Sequence, residues 1–490
     1  MEKQKDEQHE PSLKERVLRG STWTLFGFGF SRALRLGNHL ILAWLLTPEI
    51  FGLMALVKVF MQGLEMFSDI GIGPSIIQNK RGHNIEFQNT AWTIQVIRGT
   101  GLWIVTCILT YPFSWFYAQS DPSSWQLLYL LPVAGLTVLI GGFKHPVLFT
   151  LRKDLRIGYI TLIEIASQLI SLSVIIVWAI ISPTVWSMVA GNLAAMLFRV
   201  VISHTLVSKH RVRFQWDREC LKELVSFGRW IMLSTAFTFL SNNLDKLILG
   251  KVLSLRELGL YGIATVLTKM ALDITTRLGS SIMFPVYSKF QDNTKRLMSV
   301  ALRSRDVVLW VGGAVCIALA VASPLFFQSF WDERYHYAGI LAQWLVIHMW
   351  SRILLSTMDR IPLSLGNSRS LFVSNAIQTA GMFAAVLGYS IAGLPGFIIG
   401  MAIGPLSAHV YLTSIIPVDR NKMLLQSARA SLVVGIFGFA AVAFTIWIGT
   451  TFSRNTWISS VLTTAFIPCL ISAFVVFKKI NEPRALKRKT

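Results

Sequence analysis

The sequence predicts an all-α membrane protein of about fourteen transmembrane helices, with two six-helix lobes related by a parallel repeat plus two C-terminal helices. Three observations predict this fold: a high apolar content, the number of long apolar runs, and a partial internal repeat. Of the 490 residues, 53% are hydrophobic and 14% are charged. Because a soluble domain has about 25% charged residues, lipid must be the solvent for much of this chain.

About fourteen apolar runs are long enough to cross a bilayer, since a spanning helix needs about 20 mostly apolar residues. A closed β-barrel is excluded because the runs are continuous and do not alternate with period two. The runs lie near residues 20–46, 50–78, 89–117, 125–151, 157–181, 185–207, 224–250, 258–288, 299–328, 338–362, 370–391, 396–416, 425–448 and 456–477.

Lysine and arginine are distributed unevenly over the connections between these runs. The connections on the side of the N-terminus hold about 30 basic residues, whereas the alternate set holds about four. Because basic connections stay in the cytoplasm, both termini are expected to be cytoplasmic. This distribution also accounts for most of the net charge of +21, so no nucleic acid is expected as a partner.

A partial repeat relates residues 38–53 to residues 245–260, at an offset of about 207 residues. The first segment begins Asn38-His-Leu-Ile-Leu-Ala and the second begins Asp245-Lys-Leu-Ile-Leu-Gly, and both end in Gly-Leu. An even number of predicted helices separates the segments, so the two halves would share one orientation. Transporters built in this way place the binding site between the halves. The identities are few, and chance similarity is the alternative.

The predicted organisation follows from the runs and the repeat. It consists of a cytoplasmic N-terminal segment (1–19), an N-lobe of helices 1–6 (20–207), a cytoplasmic linker (208–223), a C-lobe of helices 7–12 (224–417), helices 13 and 14 (418–478) and a basic cytoplasmic tail (479–490).

Charged residues interrupt several predicted spans, with about twelve basic and six acidic residues inside the apolar runs. A charge at the bilayer centre costs about 2.5–3.5 kcal/mol, so such residues normally face a bundle interior or a water-filled cavity. The basic excess predicts an anionic substrate, and arginine suits phosphate oxygens. The candidate substrate-binding residues are Arg32, Arg35, Lys58, Arg98, Lys269, Arg277 and Arg352, and the candidates for ion coupling are Glu65, Asp69 and Asp273.

Helical spacing groups several of these charges on single faces. Lys58, Glu65 and Asp69 share one face of span 2, and Lys269 is followed by Asp273 at i+4 in span 8. The charges of span 8 could equally be structural ion pairs. Other charges lie near span ends and are expected to snorkel to the interface or to be structural: Lys144, Arg199, Arg229, Asp359 and Arg360 in the first group, and Asp245 and Lys246 in the second.

Motifs of enzyme chemistry are absent from the sequence. It has no Walker A, HExxH or GxSxG motif, and its four cysteines show neither CxxC nor metal-ligand spacing. No cofactor or metal is therefore expected. A polysaccharide polymerase or ligase should carry a long outer loop with catalytic acids, but the longest predicted outer loop, near 329–337, has only Asp332 and Glu333.

Motifs in spans 1–2 and 7–8 resemble those of a known family. They read Leu46-Thr-Pro-Glu-Ile-Phe-Gly52, Asp69-Ile-Gly-Ile-Gly-Pro-Ser-Ile-Ile-Gln78, Asn243-Leu-Asp-Lys-Leu-Ile-Leu-Gly250 and Leu258-Gly-Leu-Tyr-Gly-Ile-Ala264. They are similar to the polysaccharide transporter (O-antigen and exopolysaccharide flippase) family of the MOP flippase superfamily, which also contains lipid II flippases and MATE antiporters.

This resemblance implies a flippase of the bacterial inner membrane. The implied substrate is an oligosaccharide linked by diphosphate to undecaprenol, moved by alternating access for O-antigen or exopolysaccharide biosynthesis. Membrane lipids and the polysaccharide polymerase with its chain-length machinery are the implied partners. Two alternatives stay open: a MATE-like multidrug or cation antiporter, which the basic excess disfavours, and a membrane polymerase or ligase, which the short outer loops disfavour.

Overall fold

The structure is a computed structural model, and it describes residues 13–154, 156–205, 211–288, 293–365, 367–416 and 419–451. These residues form α-helices joined by short turns, and no β-strand occurs among them. The predicted all-α class is confirmed. Predicted span 14, the basic tail and the first twelve residues lie outside the described residues.

Seventeen α-helices are present in the described residues. They are α1 (Leu13–Leu45), α2 (Pro48–Phe67), α3 (Ile72–Gln78), α4 (Ile85–Ala118), α5 (Leu127–Gly142), α6 (Val147–Lys153), α7 (Ile157–Ile181), α8 (Val185–Thr205), α9 (Arg218–Val252), α10 (Leu255–Ser288), α11 (Thr294–Phe330), α12 (His336–Ser356), α13 (Arg360–Ser364), α14 (Ser368–Ala380), α15 (Met382–Met401), α16 (Ile403–Ser414) and α17 (Arg420–Thr451).

Within the described residues, nine helical stretches are long and apolar enough to cross a membrane by length and composition. Residues 369–414 count as one stretch, although the sequence predicts two spans there. The helix is interrupted at Ala392 and Gly393, whose backbone is non-helical. The sequence predicts the connection between spans 11 and 12 at this place.

Predicted spans 2 and 4 are each two helices rather than one. Helix α2 ends at Phe67 and α3 begins at Ile72, with Gly71 between them in the left-handed region at φ +64°. This conformation favours glycine, which has no Cβ to clash. Span 4 breaks between α5 and α6, where Pro146 precedes the new helix and lacks an N–H group to extend the old one.

The described residues divide into two compact units. Unit 1 comprises residues up to Leu46, 53–239 and 250–255, and unit 2 comprises residues 47–52, 240–249 and those from Arg256 onward. The buried core of unit 1 includes the two short helices after the breaks, since α3 packs against α6. The core of unit 2 is formed mainly by α11, α12, α16 and the start of α17.

The predicted linker between the lobes is packed onto α4 in unit 1. The Gln215 N–H donates to Thr93 Oγ1 at 3.1 Å, Asn89 Nδ2 donates to Gln215 Oε1 at 2.9 Å, and the Phe214 ring lies against Trp92. Residues from Arg218 onward already belong to α9, so this helix begins six residues before the predicted start of span 7.

Unit 1 also holds the turn after α9. The Lys251 ammonium donates to the Phe116 carbonyl at 2.6 Å, and the Leu255 N–H donates to Asp121 Oδ2 at 3.0 Å. Partial burial raises the pKa of Asp121, but main-chain hydrogen bonds from Leu255 and Ser123 outweigh burial and lower this pKa below its usual value. The charged carboxylate therefore caps the start of α10.

Unit 2 contains a close crossing between the first turn of α2 and α10. A Cβ atom on Gly259 would lie 1.9 Å from the Pro48 carbonyl oxygen and 3.0 Å from the Gly52 nitrogen. Both obstacles are main chain and have little freedom to move. This contact explains why the motif Leu258-Gly-Leu-Tyr-Gly carries glycine at its second position. It also joins Gly52 and Gly259, which are equivalent residues of the partial repeat.

We expect Gly259→Ala to lower the amount of folded protein in the membrane, because its Cβ would overlap the Pro48 carbonyl. The matched control is Gly262→Ala, one turn along the same helix, where a Cβ meets nothing within 4 Å. Alanine is favoured over glycine in a helix by about 1 kcal/mol, so the control should be neutral or stabilising. Membrane abundance and melting temperature in detergent measure both variants. Equal values for the two would contradict the crossing.

Candidate functional site: charged clusters in the membrane spans

The predicted site residues are divided between the two units. Unit 1 holds Arg32, Arg35, Lys58, Glu65, Asp69 and Arg98, and unit 2 holds Lys269, Asp273, Arg277 and Arg352. The side chains of Arg35, Lys58, Glu65 and Lys269 are exposed, and those of Arg32, Asp69, Arg98, Asp273 and Arg352 are half-buried. The side chain of Arg277 lies outside the described part of the structure. Exposed charges in spanning helices require contact with water, because the hydrocarbon core does not solvate them.

One basic residue of α1 and one of α2 act on the same histidine in unit 1. Both Arg35 on α1 and Lys58 on α2 lie within electrostatic range of His39. The structure thus places one basic residue from each of two predicted spans within range of the same histidine.

Arg98 on α4 holds the broken end of α2. Its Nη2 donates to the Glu65 carbonyl at 2.7 Å, and Nε and Nη2 donate to Ser68 Oγ at 3.2 and 3.1 Å. The last carbonyls of a helix lack intrahelical partners and carry partial negative charge, so a cation there is favourable. In the next turn, the Gly71 N–H donates to Asp69 Oδ1 at 2.9 Å. Arg98 and Asp69 therefore both stabilise the break.

Glu65 is surrounded mainly by positive charge. Lys144 and Arg98 are its basic neighbours in electrostatic range, and Asp69 is its acidic one. Lys144 lies at the break between α5 and α6, and it is also within range of Arg199 and Arg152. The sequence predicts that Lys144 and Arg199 snorkel to the interface, and the structure places Lys144 within electrostatic range of Glu65 and Arg98. The sequence signal for this arrangement is Gly141-Gly-Phe-Lys-His-Pro146, which breaks a helix within an apolar run.

A second charged cluster lies in unit 2. Asp245 on α9 is buried, and its Oδ2 accepts a 2.7 Å hydrogen bond from the hydroxyl of Tyr261, which is also buried. Lys246 and Lys269 lie within electrostatic range of Asp245, and Arg352 lies within range of Lys269. Of these, the sequence singled out Lys269 and Arg352. The tyrosine belongs to the motif after Gly259, so the motif residue has a role in the cluster.

Arg352 joins three helices of unit 2 through its guanidinium group. Nη1 donates to Gln378 Oε1 at 2.8 Å, and Nη2 donates to Asn242 Oδ1 at 3.1 Å. Gln378 Nε2 in turn donates to Asn375 Oδ1 at 3.2 Å. These contacts connect α9, α12 and α14. These amide groups orient the guanidinium by hydrogen bonds, and the carboxylates of Asp359 and Asp245 lie within its electrostatic range.

The chemistry that these clusters support is anion binding. In unit 1 the neighbouring cations are Arg98, Lys144, Arg152 and Arg199 and the neighbouring acids are Glu65, Asp69 and Glu164. In unit 2 the cations are Lys246, Lys269 and Arg352 and the acids are Asp245 and Asp359. Each cluster therefore has more positive than negative charge. Within the described residues, no group of His, Cys, Asp and Glu has the arrangement of a metal site.

Comparison with known proteins identifies relatives of this chain. The sequence model of a family described as polysaccharide biosynthesis protein matches residues 41–340. The lipopolysaccharide biosynthesis protein WzxC of Escherichia coli K12 is 26% identical over 333 residues, which are 66% of this chain and 65% of WzxC. The family match confirms the resemblance predicted from the motifs.

Solved structures with the same fold include two transporter types. The lipid II flippase MurJ in an inward closed conformation has a TM-score of 0.70 at 13% identity, covering 94% of this chain and 99% of MurJ. An inward-facing multidrug resistance MATE family transporter of the MOP superfamily has a TM-score of 0.60 at 14% identity, covering 82% and 95%. Both similarities concern the fold.

We predict that Arg98→Ala destabilises the protein, because the Glu65 carbonyl and Ser68 hydroxyl lose their charged donor. Leaving such acceptors unsatisfied costs about 1–3 kcal/mol. The control is Ile97→Ala. Ile97 precedes Arg98 on the same helix, and its side chain is 55% exposed. The melting temperature of the purified variants is the measurement. A normal melting temperature for Arg98→Ala would show that the break in span 2 does not depend on this arginine.

Proposed function

Because the chain belongs to the polysaccharide biosynthesis protein family, we propose that it is a flippase for undecaprenyl-diphosphate-linked oligosaccharide repeat units. It moves them across the bacterial inner membrane for O-antigen or exopolysaccharide biosynthesis. The polysaccharide polymerase and its chain-length machinery use the translocated units. Both termini are cytoplasmic, as the distribution of basic residues predicts.

The observation that carries this proposal is the excess of positive charge at membrane depth in each unit. A diphosphate brings negative charge that is costly to remove from water unless cations accompany it. The clusters around Lys144 and around Lys269 and Arg352 offer cations of this kind. Exposed Arg35 and Lys58 add two more. An apolar polyprenyl chain can stay in the lipid while these residues accompany the polar head group.

The relatives support a lipid-linked saccharide as substrate. WzxC is named for lipopolysaccharide biosynthesis, and MurJ is named as a flippase of lipid II. We propose that this chain works by alternating access and that it is a transporter rather than an enzyme. Glu65, Asp69 and Asp273 are the proposed residues for coupling to an ion gradient. Glu65 has the most exposed side chain of the three, and the basic residues Lys144 and Arg98 lie within its electrostatic range.

A MATE-like antiporter is the second candidate, because the MATE fold is similar. A pump for organic cations would need an excess of acidic residues at membrane depth, and the clusters have the opposite sign. Drug susceptibility of a deletion strain separates the two functions. We expect the deletion strain to lose surface polysaccharide while its susceptibility to cationic drugs stays unchanged.

We expect Arg35→Ala to abolish surface-polysaccharide export in a flippase-null strain, because this exposed guanidinium contacts the diphosphate. Arg35→Lys should retain part of the export, since it keeps the charge but loses the planar pair of donors. Export is measured by complementation, with membrane abundance of each variant determined in parallel.

The matched control is Arg303→Ala, an exposed arginine near the start of α11. It should export normally. Wild-type export from Arg35→Ala at normal abundance would remove Arg35 from the mechanism, and a simple loss of abundance would assign Arg35 a structural role.

A further inference from the structure

We infer that Lys144 binds the phosphate oxygens of the transported lipid within unit 1. This inference rests on the proposed function and adds a residue that the sequence alone assigns to the interface. Three features of the structure support it: the fixed backbone around Lys144, its unused ammonium donors, and the charges that surround it.

The backbone around Lys144 is held rigidly by side chains of α4 and α8. Gln95 Nε2 donates to the carbonyls of Gly142 and Lys144 at 2.9 and 3.0 Å. Trp92 Nε1 donates to the Phe143 carbonyl at 3.3 Å, and the His145 N–H donates to Ser203 Oγ at 3.1 Å. Non-helical backbone at membrane depth needs such partners. The carbonyls of the break are therefore engaged, and the main chain from which the Lys144 side chain extends is held in place.

The Lys144 ammonium makes no hydrogen bond or ion pair with any residue in the described ranges. Its basic neighbours differ from it in this respect. Arg98 is bonded to the end of α2, Arg199 Nε donates to Ser167 Oγ at 2.9 Å, and Arg152 pairs with Glu164 at 3.5 Å. Lys144 thus differs from these three arginines, each of which has at least one donor bonded to a protein group.

The charges around Lys144 select an anionic ligand. Three arginines and one carboxylate, that of Glu65, act on it electrostatically. A half-buried ammonium in a positive environment is stabilised when an anion joins it. Lysine binds phosphate as a compact charge with three rotatable donors, so it accepts phosphate groups without requiring one fixed orientation. This property suits a residue that must hold and then release a diphosphate.

The test is binding of farnesyl diphosphate, a short diphosphate lipid, to the purified full-length protein in nanodiscs. Farnesol is the uncharged comparison. We expect wild type to prefer the diphosphate lipid and Lys144→Gln to bind it about tenfold or more weakly, since a charge-assisted contact is lost. The control Lys422→Gln removes an exposed lysine on α17 and should bind normally.

A chemical rescue separates charge from a structural role. Lys144→Cys treated with 2-aminoethyl methanethiosulfonate regains an ammonium at nearly the same length, and binding should return. The uncharged methyl methanethiosulfonate should not restore it. Wild type treated with each reagent controls for reaction at Cys107, the exposed cysteine among the described ones.

Each outcome bears on a different statement. Equal affinity of wild type and Lys144→Gln for farnesyl diphosphate, or rescue by the uncharged reagent, overturns the role of Lys144 and leaves the proposed function intact. Wild type that binds farnesol as well as farnesyl diphosphate overturns both the role of Lys144 and the diphosphate substrate.

Discussion

The structure depends on one constraint: every polar backbone group at membrane depth must find a partner within the protein. Most helices meet this constraint through their own hydrogen bonds. Spans 2 and 4 are broken, and there the constraint is met by side chains from other helices. Arg98 satisfies the end of α2, and Gln95 with Trp92 satisfies the end of α5. Helix α4 therefore supplies the groups that allow both breaks to exist.

The basic residues differ in whether they satisfy polar groups of the protein. Arg98, Arg199 and Arg152 are bonded to protein groups, whereas the Lys144 ammonium has no such bond among the described residues. A charge in a span does not therefore by itself indicate contact with substrate. In unit 2, Tyr261 and Asp245 satisfy each other while buried, whereas the side chain of Lys269 is exposed. The available cations belong to clusters with an excess of positive charge.

The sequence predicted the fold class, the apolar runs, the interruption near Gly393 and the family. These properties depend on local composition and on short motifs, and both can be read from a single segment of the sequence. The breaks in spans 2 and 4, the role of Arg98 and the position of Lys144 were not predicted. Each depends on partners distant in sequence, such as Gln95 for the Lys144 carbonyl or Pro48 for Gly259. The local sequence shows that a residue is charged, but it does not show which distant group that charge contacts in the fold.

The central claim is that positive charge at membrane depth carries a diphosphate-linked head group across the bilayer. It is tested most directly by translocation in proteoliposomes that contain only the purified protein. Two fluorescent substrates with the same oligosaccharide and polyprenyl chain are compared, one joined by diphosphate and one by an uncharged linker. Our account predicts that the protein accelerates translocation of the diphosphate-linked substrate alone. Equal acceleration of both substrates would contradict it.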